Sequence, residues 1–138
     1  MSISIKQAEY FSMTISDNAG KASQLLSVFA DAGIGLLAFK AAPAGPGRTQ
    51  FSVFPNDPGK MKDAAKAAGL LLDGPHPALI IKSDSDEPGE CAGVFEKLSQ
   101  AGIHVYEACG IADIKDSYGI VLYMKQEDCE KALAVLKA

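Results

Sequence analysis

The strongest constraint on this chain is a passage it carries twice. SDNAGKASQLLSVFADAGIG runs from Ser16 to Gly35, and SDEPGECAGVFEKLSQAGIH runs from Ser85 to His104. A shift of 69 positions carries Asp17 onto Asp86, Gly20 onto Gly89 and the closing Ala32-Gly33-Ile34 onto Ala101-Gly102-Ile103. The same shift carries Lys62 onto Lys131 and Ala65 onto Ala134. With 138 residues, twice that shift, the chain reads as two gapless copies, residues 1–69 and 70–138. The identities fall at turn glycines and helix ends, where backbone geometry is demanding, and a repeat of this kind sets the architecture before any other signal.

Each copy predicts the same elements. YFSMTIS and ALIIKS read as strands. In the segments that follow, Ala22, Leu25, Leu26 and Phe29 recur at helical spacing, as do Cys91, Val94, Phe95 and Leu98. Asp17 or Asn18 is placed to cap the first helix, Pro88 suits the first turn of its counterpart, and Gly33 and Gly102 end them. IGLLAFKAA and IHVYEACGIAD are the next strands; TQFSVFP and YGIVLYMK return antiparallel to them, the first through the breaker cluster PAGPGR. Second helices follow in DPGKMKDAAKAAG, with Asp57-Pro58 as a helix start, and in QEDCEKALAVLKA. LLLDG gives the first copy a fourth strand, whereas the second copy stops at Ala138. SISIK (Ser2–Lys6) alternates as a strand does and corresponds to LLDGP under the shift, so this N-terminal strand is expected to complete the second module. The fold class is therefore α+β: two βαββαβ modules of ferredoxin-like type, antiparallel sheets with helices on one face.

Composition excludes several function classes. Net charge is −4 and Arg48 is the one arginine among thirteen basic residues, so the basic face of a nucleic-acid binder is missing. Cys91, Cys109 and Cys129 are far apart and odd in number, which fits reduced thiols in a reducing compartment. MSISIKQAEYF is not a secretory signal, and no run approaches the roughly 18 apolar residues of a membrane helix. A cytoplasmic protein without membrane or nucleic-acid partners is expected.

The βαββαβ pattern, entered through D-x-x-G at DNAG and DEPG and left through A-G-I, resembles the ACT domain, an amino-acid-binding regulatory module. The resemblance covers the whole chain twice and suggests a free-standing tandem ACT protein with no attached catalytic domain. It implies paired modules with strands side by side, and a small ligand, typically an amino acid, bound at the interface between modules against the loop before the first helix. It also implies a regulated enzyme as partner. Free helix-start N–H groups and the helix dipole attract a carboxylate there, Gly20 and Gly89 allow close approach, and Asp17 or Asp86 can accept an ammonium group. Carried over residue by residue, the polar position three before the glycine falls on Asp17 and Asp86, and the position five before it on Ile15 and Asp84. The asparagine often found at the start of the second strand falls on Gly35 and His104. The candidate ligand-binding residues are thus Asp17, Asn18, Ala19, Gly20, Gly35 and Leu36 in one copy. In the other they are Asp84, Asp86, Glu87, Pro88, Gly89, His104 and Val105. The copies differ at Ala19 against Pro88 and at Gly35 against His104; Gly35 leaves room for a ligand's side chain, or the polar second copy binds more strongly.

Each feature has a plainer reading. The two glycines suit the turn with or without a ligand, the aspartates suit capping, and His104 suits a surface histidine. His76, between two prolines, reads as a linker residue. SDSDE lacks the spaced ligands of a calcium loop, so neither a metal nor a cofactor is expected. The competing classes are a structural dimerisation protein without ligand and, remotely, an acylphosphatase-like enzyme. The latter needs an arginine in the first loop, which neither copy has. Outer sheet edges can add another chain, and a homodimer is expected.

Overall fold

The computed structural model describes residues 3–84, 89–112 and 117–137. The chain divides into two compact units: Glu9–His76, and Met1–Ala8 together with Pro77–Ala138. The elements run β1 (Ile3–Ser16), α1 (Lys21–Asp31), β2 (Leu36–Pro43), β3 (Arg48–Pro55), α2 (Pro58–Ala67) and β4 (Asp73–Ser83). They continue with α3 (Glu90–Gln100), β5 (Glu107–Ala112), β6 (Tyr118–Tyr123) and α4 (Gln126–Lys137). No helix among the described residues is long and apolar enough to cross a membrane.

In the first unit the strand order is β2-β3-β1, with β1 and β2 both antiparallel to β3. The start of β4, residues 73–76, also belongs to this unit. The second unit repeats the plan with β5-β6-β4, again antiparallel, and the N-terminal part of β1 lies beside β4. Residues 3–6 and YFSMTIS therefore lie in one continuous strand, and the fourth strand of the second sheet is the N-terminal part of β1. LLLDG is shorter as a strand than expected, because β4 begins only at Asp73 and runs on through ALIIKS. His76, expected in a linker, stands within that strand, 3.0 Å from Asp73 and with its ring 5.2 Å from that of Tyr10. The strand expected over IHVYEACGIAD is also shorter, starting at Glu107, and its Asp113 lies outside the described residues.

The repeated A-G-I has a local cause. After α1, Gly33 at φ 75° lets its N–H donate to Ala30 O (2.9 Å) and the Ile34 N–H to Phe29 O (3.0 Å). Gly102 at φ 72° and Ile103 repeat this on Ser99 O and Leu98 O, at 3.0 and 2.9 Å. This double bond pattern is the Schellman closure, which satisfies the last carbonyls and turns an apolar residue back onto the helix. Ile34 and Ile103 are accordingly buried in their modules' cores. Gly69 and Leu70 close α2 the same way, on Lys66 O and Ala65 O, which removes Leu70 from the following strand. As expected, α2 starts at Asp57, whose carboxylate accepts the Lys60 N–H at 3.1 Å, with proline at its first turn.

Sheet register revises the repeat. β3 pairs Val53 with Phe11 and Phe51 with Met13; β6 pairs Leu122 with Leu79 and Ile120 with Ile81. Between β3 and β6 the shift is 69, but between β1 and β4 it is 68. The copies are not gapless: the second carries one more residue between its first strand and its helix. Asp84 therefore matches Ser16, not Ile15.

Each unit has its own core. Phe11, Met13, Leu25, Phe29, Phe51, Val53 and Met61 form one, and Leu79, Ile81, Val94, Leu98, Ile120 and Leu122 the other, with Ile5 packed against it. Ile5→Ala is expected to destabilise by about 1–2 kcal/mol, less than a fully buried isoleucine. Hydrogen exchange should quicken in residues 77–137 and not in residues 17–70. Gly102→Ala should cost about 1–2 kcal/mol, since a Cβ strains the left-handed conformation; equal denaturation midpoints would show that the closure does not depend on glycine.

Candidate functional site

The two first helices start alike. α1 is preceded by Gly20 at φ 92°, ψ −19°, and α3 by Gly89 at φ 88°, ψ −10°, and neither start has a side-chain cap. The expected capping by Asp17 or Asn18 does not occur. Asp17 is turned to the β2–β3 hairpin instead, where its N–H donates to Gly47 O (2.9 Å) and its Oδ1 accepts from Thr49 Oγ1 (3.4 Å). Asn18 contributes its backbone, its O accepting the Lys21 N–H at 3.3 Å. A Cβ at Gly20 or Gly89 would meet nothing within 4 Å, so these glycines serve the positive φ and not a close packing contact. The result is an exposed helix start, with Asp17, Asn18, Ala19 and Gly20 all at the surface. In the second module Asp84 and Gly89 are exposed, while Asp86, Glu87 and Pro88 lie outside the described residues.

The remaining candidates stand elsewhere. Gly35 and Leu36 follow α1, and His104 and Val105 follow α3. An 11-residue helix is about 16 Å long, so in each module the elbow and the strand start lie at opposite helix ends. One small ligand cannot touch both sets within a module. Nor does Gly35 leave room for a ligand's side chain. Its N–H donates to Asn56 Oδ1 (3.2 Å) and its O accepts the Asn56 N–H (2.8 Å), and an added Cβ would stand 3.0 Å from Asn56 Nδ2. Asn56 fills the space. Its counterpart in the second copy is Lys125, and His104 is exposed there, lining a separate shallow groove with Phe95, Ser99 and Val105.

Sequence reasoning missed the polar group behind the second elbow. Glu90, the first residue of α3, accepts from Ser83 Oγ at 2.7 Å through Oε1. Its Oε2 and the Tyr118 Oη are both buried, and the phenol lies against this carboxylate. Burial, then the Glu90 carboxylate, push the Tyr118 phenol up to about 12. Burial, then Glu107, push Tyr123 up to about 12 as well. The available signal was a charge reversal: Glu90 stands where the first copy has Lys21.

Raised phenol values carry a sign for stability. In the unfolded chain these tyrosines ionise near pH 10, while in the folded protein they stay protonated to about 12. Stability is therefore full below pH 10 and falls as the pH climbs from about 10 to 12. Absorbance at 295 nm should show Tyr118 and Tyr123 titrating only with unfolding, and Tyr118→Phe should flatten the fall.

The fold and these elbows define a class: two ferredoxin-like βαββαβ modules, each with an uncapped glycine turn at its first helix. No family model matches the chain, and no curated protein matches it in sequence. Solved structures do. The structure of protein BT0572 from Bacteroides thetaiotaomicron is similar, with a TM-score of 0.82 at 22% identity, over 96% of this chain and 88% of that one. The regulatory subunit of aspartate kinase from Thermus thermophilus, in its ligand-free form, is similar at a TM-score of 0.68 and 17% identity, over 98% and 94% of the two chains. A structure of aspartokinase alpha and beta subunits gives 0.66 and 21% identity, over 99% and 95%. At these identities the likeness is one of fold.

Proposed function

We propose that this chain is a non-catalytic regulatory protein that binds an amino acid at the elbow before the first helix of a module and passes the signal to an enzyme. The observation that carries this reading is the helix start built twice with a left-handed glycine and no side-chain cap. Such a start presents backbone N–H groups and the positive end of the helix dipole to a carboxylate. The second elbow is the better cradle, because Asp84 and Asp86 stand near it in sequence as acceptors for an ammonium group. The fold shared with a regulatory subunit of aspartate kinase supports the regulatory role. Signalling would follow from population shift, the ligand stabilising the conformation that binds it better.

Calorimetric titration with the twenty amino acids tests the reading. Heat is expected from one or a few of them, and Asp84→Asn with Asp86→Asn should weaken that binding about tenfold, the loss of one charge-assisted hydrogen bond. A second reading, an assembly module without ligand, is favoured by β5, an edge strand with all six residues exposed, Ile111 among them at 79%. Silence from every amino acid, together with a concentration-dependent homodimer, would decide for that alternative.

A further inference from the structure

On the face of the first unit's sheet turned away from α1 and α2 lies a groove of about 480 Å³. Phe11, Met13, Phe51 and Val53 share the core with those helices, so strand alternation turns Ser12, Thr14, Gln50 and Ser52 to the other face. Ser12, Thr14, Gln50 and Asp73 line the groove, together with the apolar Leu71 and Leu72. No elbow residue takes part in it.

Two hydroxyls are buried at its floor. Ser12 and Ser52 stand opposite each other in the register, 6% and 3% exposed, with their Oγ atoms 3.2 Å apart. In the second unit the corresponding pair is Ile80 and Val121. The fold thus accepts two aliphatic side chains at this place, and burying hydroxyls there instead carries a desolvation cost. The serines' hydrogen-bonding capacity is also incompletely used. Two hydroxyls carry two protons, one bond joins them, and neither makes another side-chain hydrogen bond among the described residues. Next along the same face, Thr14 and Gln50 are paired in register and exposed, again without a side-chain partner among the described residues. The second unit has Lys82 against Gly119 there. The first sheet therefore gathers donors and acceptors on a face where its repeat has none of the same kind.

The chemistry of these groups selects the occupant. Serine, threonine and glutamine each donate and accept, which matches a neutral compound that does both. Asp73 gives one carboxylate oxygen to His76 at 3.0 Å and has the other for a hydroxyl donor. The lining residues include no cationic side chain, so an anion finds no counter-charge. Leu71 and Leu72 offer hydrocarbon surface to the C–H face of a ring, and the volume falls in the range of about 300–1,000 Å³ usual for small-molecule sites.

We propose that this groove binds a small neutral polyhydroxylated ring, its hydroxyls bonding to Ser12, Thr14, Gln50 and Asp73 and its C–H face lying on Leu71. This goes beyond the elbow reading and does not depend on it. A monosaccharide and a cyclitol share the chemistry.

Titrating the full chain with D-glucose, D-galactose and myo-inositol separates those sources, with cyclohexanol and D-glucuronate as contrasts. At least one of the three polyhydroxylated rings is expected to bind, and cyclohexanol is not. D-Glucuronate should bind at least about fivefold more weakly than the best of them, since its carboxylate meets Asp73. Ser12→Ile with Ser52→Val, which installs the second unit's pair, should abolish binding and leave Tm unchanged or higher. Thr14→Val and Gln50→Ala, at exposed positions, should each weaken binding about fivefold, the loss of one hydrogen bond; these two decide if the double variant does not fold. Silence from all three rings, binding undiminished in the double variant or in both single variants, or equal binding of D-glucuronate would each overturn the proposal. Silent rings with heat from an amino acid would do so while leaving the elbow reading standing. Ring binding with every amino acid silent would sink the elbow alone.

Discussion

Completion of each sheet by a distant segment is the constraint on which the rest depends. The second unit takes its fourth strand from residues 3–8, more than sixty residues before the β4 residues beside it. Ile5 packs on a core made by α3, α4, β4 and β6, so that core is incomplete until the chain's first strand arrives. Such long-range pairing must meet loop-closure entropy before its contacts are rewarded, which places this chain among slower-forming topologies. It also means that cutting at the sequence midpoint would not yield two folding units.

Most of the fold was legible because its punctuation is backbone chemistry. Ala-Gly-Ile appears twice because a Schellman closure needs a left-handed residue followed by an apolar one, and sequence displays that directly. Register was hidden for an equally physical reason. Tyr10, Phe11, Ser12 and Met13 are all buried, as are Ala78, Leu79, Ile80 and Ile81. A strand buried on both faces shows no alternation, so a slip of one residue leaves no trace in its pattern, although it exchanges the faces. The extra residue had to be absorbed in the second elbow, where sequence alone saw only a matching Asp and Gly.

At the candidate site, legibility was uneven. The glycines were legible, because only their backbone matters. The aspartates were not: a carboxylate before a helix suits a cap, and the hairpin hydroxyl of Thr49 competes successfully for Asp17. Gly35 misled in the opposite direction. A missing side chain suggests space, but here it is the condition for Asn56 to bridge the turn through two hydrogen bonds. Glu90 and Tyr118 escaped notice because their proximity depends on β4, α3 and β6 meeting, and no spacing along the chain encodes that.

The duplication supplies an internal control for separating folding from function. Where both copies need the same backbone geometry, they keep the same residue: glycine at each elbow and at the closure of each module's first helix. Where no such geometry is at stake they depart freely, as at Lys21 against Glu90 and Gln24 against Gly93, in volume and in charge. In the first unit Lys21 and Gln24 are both exposed, whereas in the second Glu90 turns inward and accepts from Ser83 Oγ. Together with burial, that inward turn raises the Tyr118 phenol, and it has no counterpart in the first unit, where Thr49 stands in the tyrosine's place, so the shared fold does not require it.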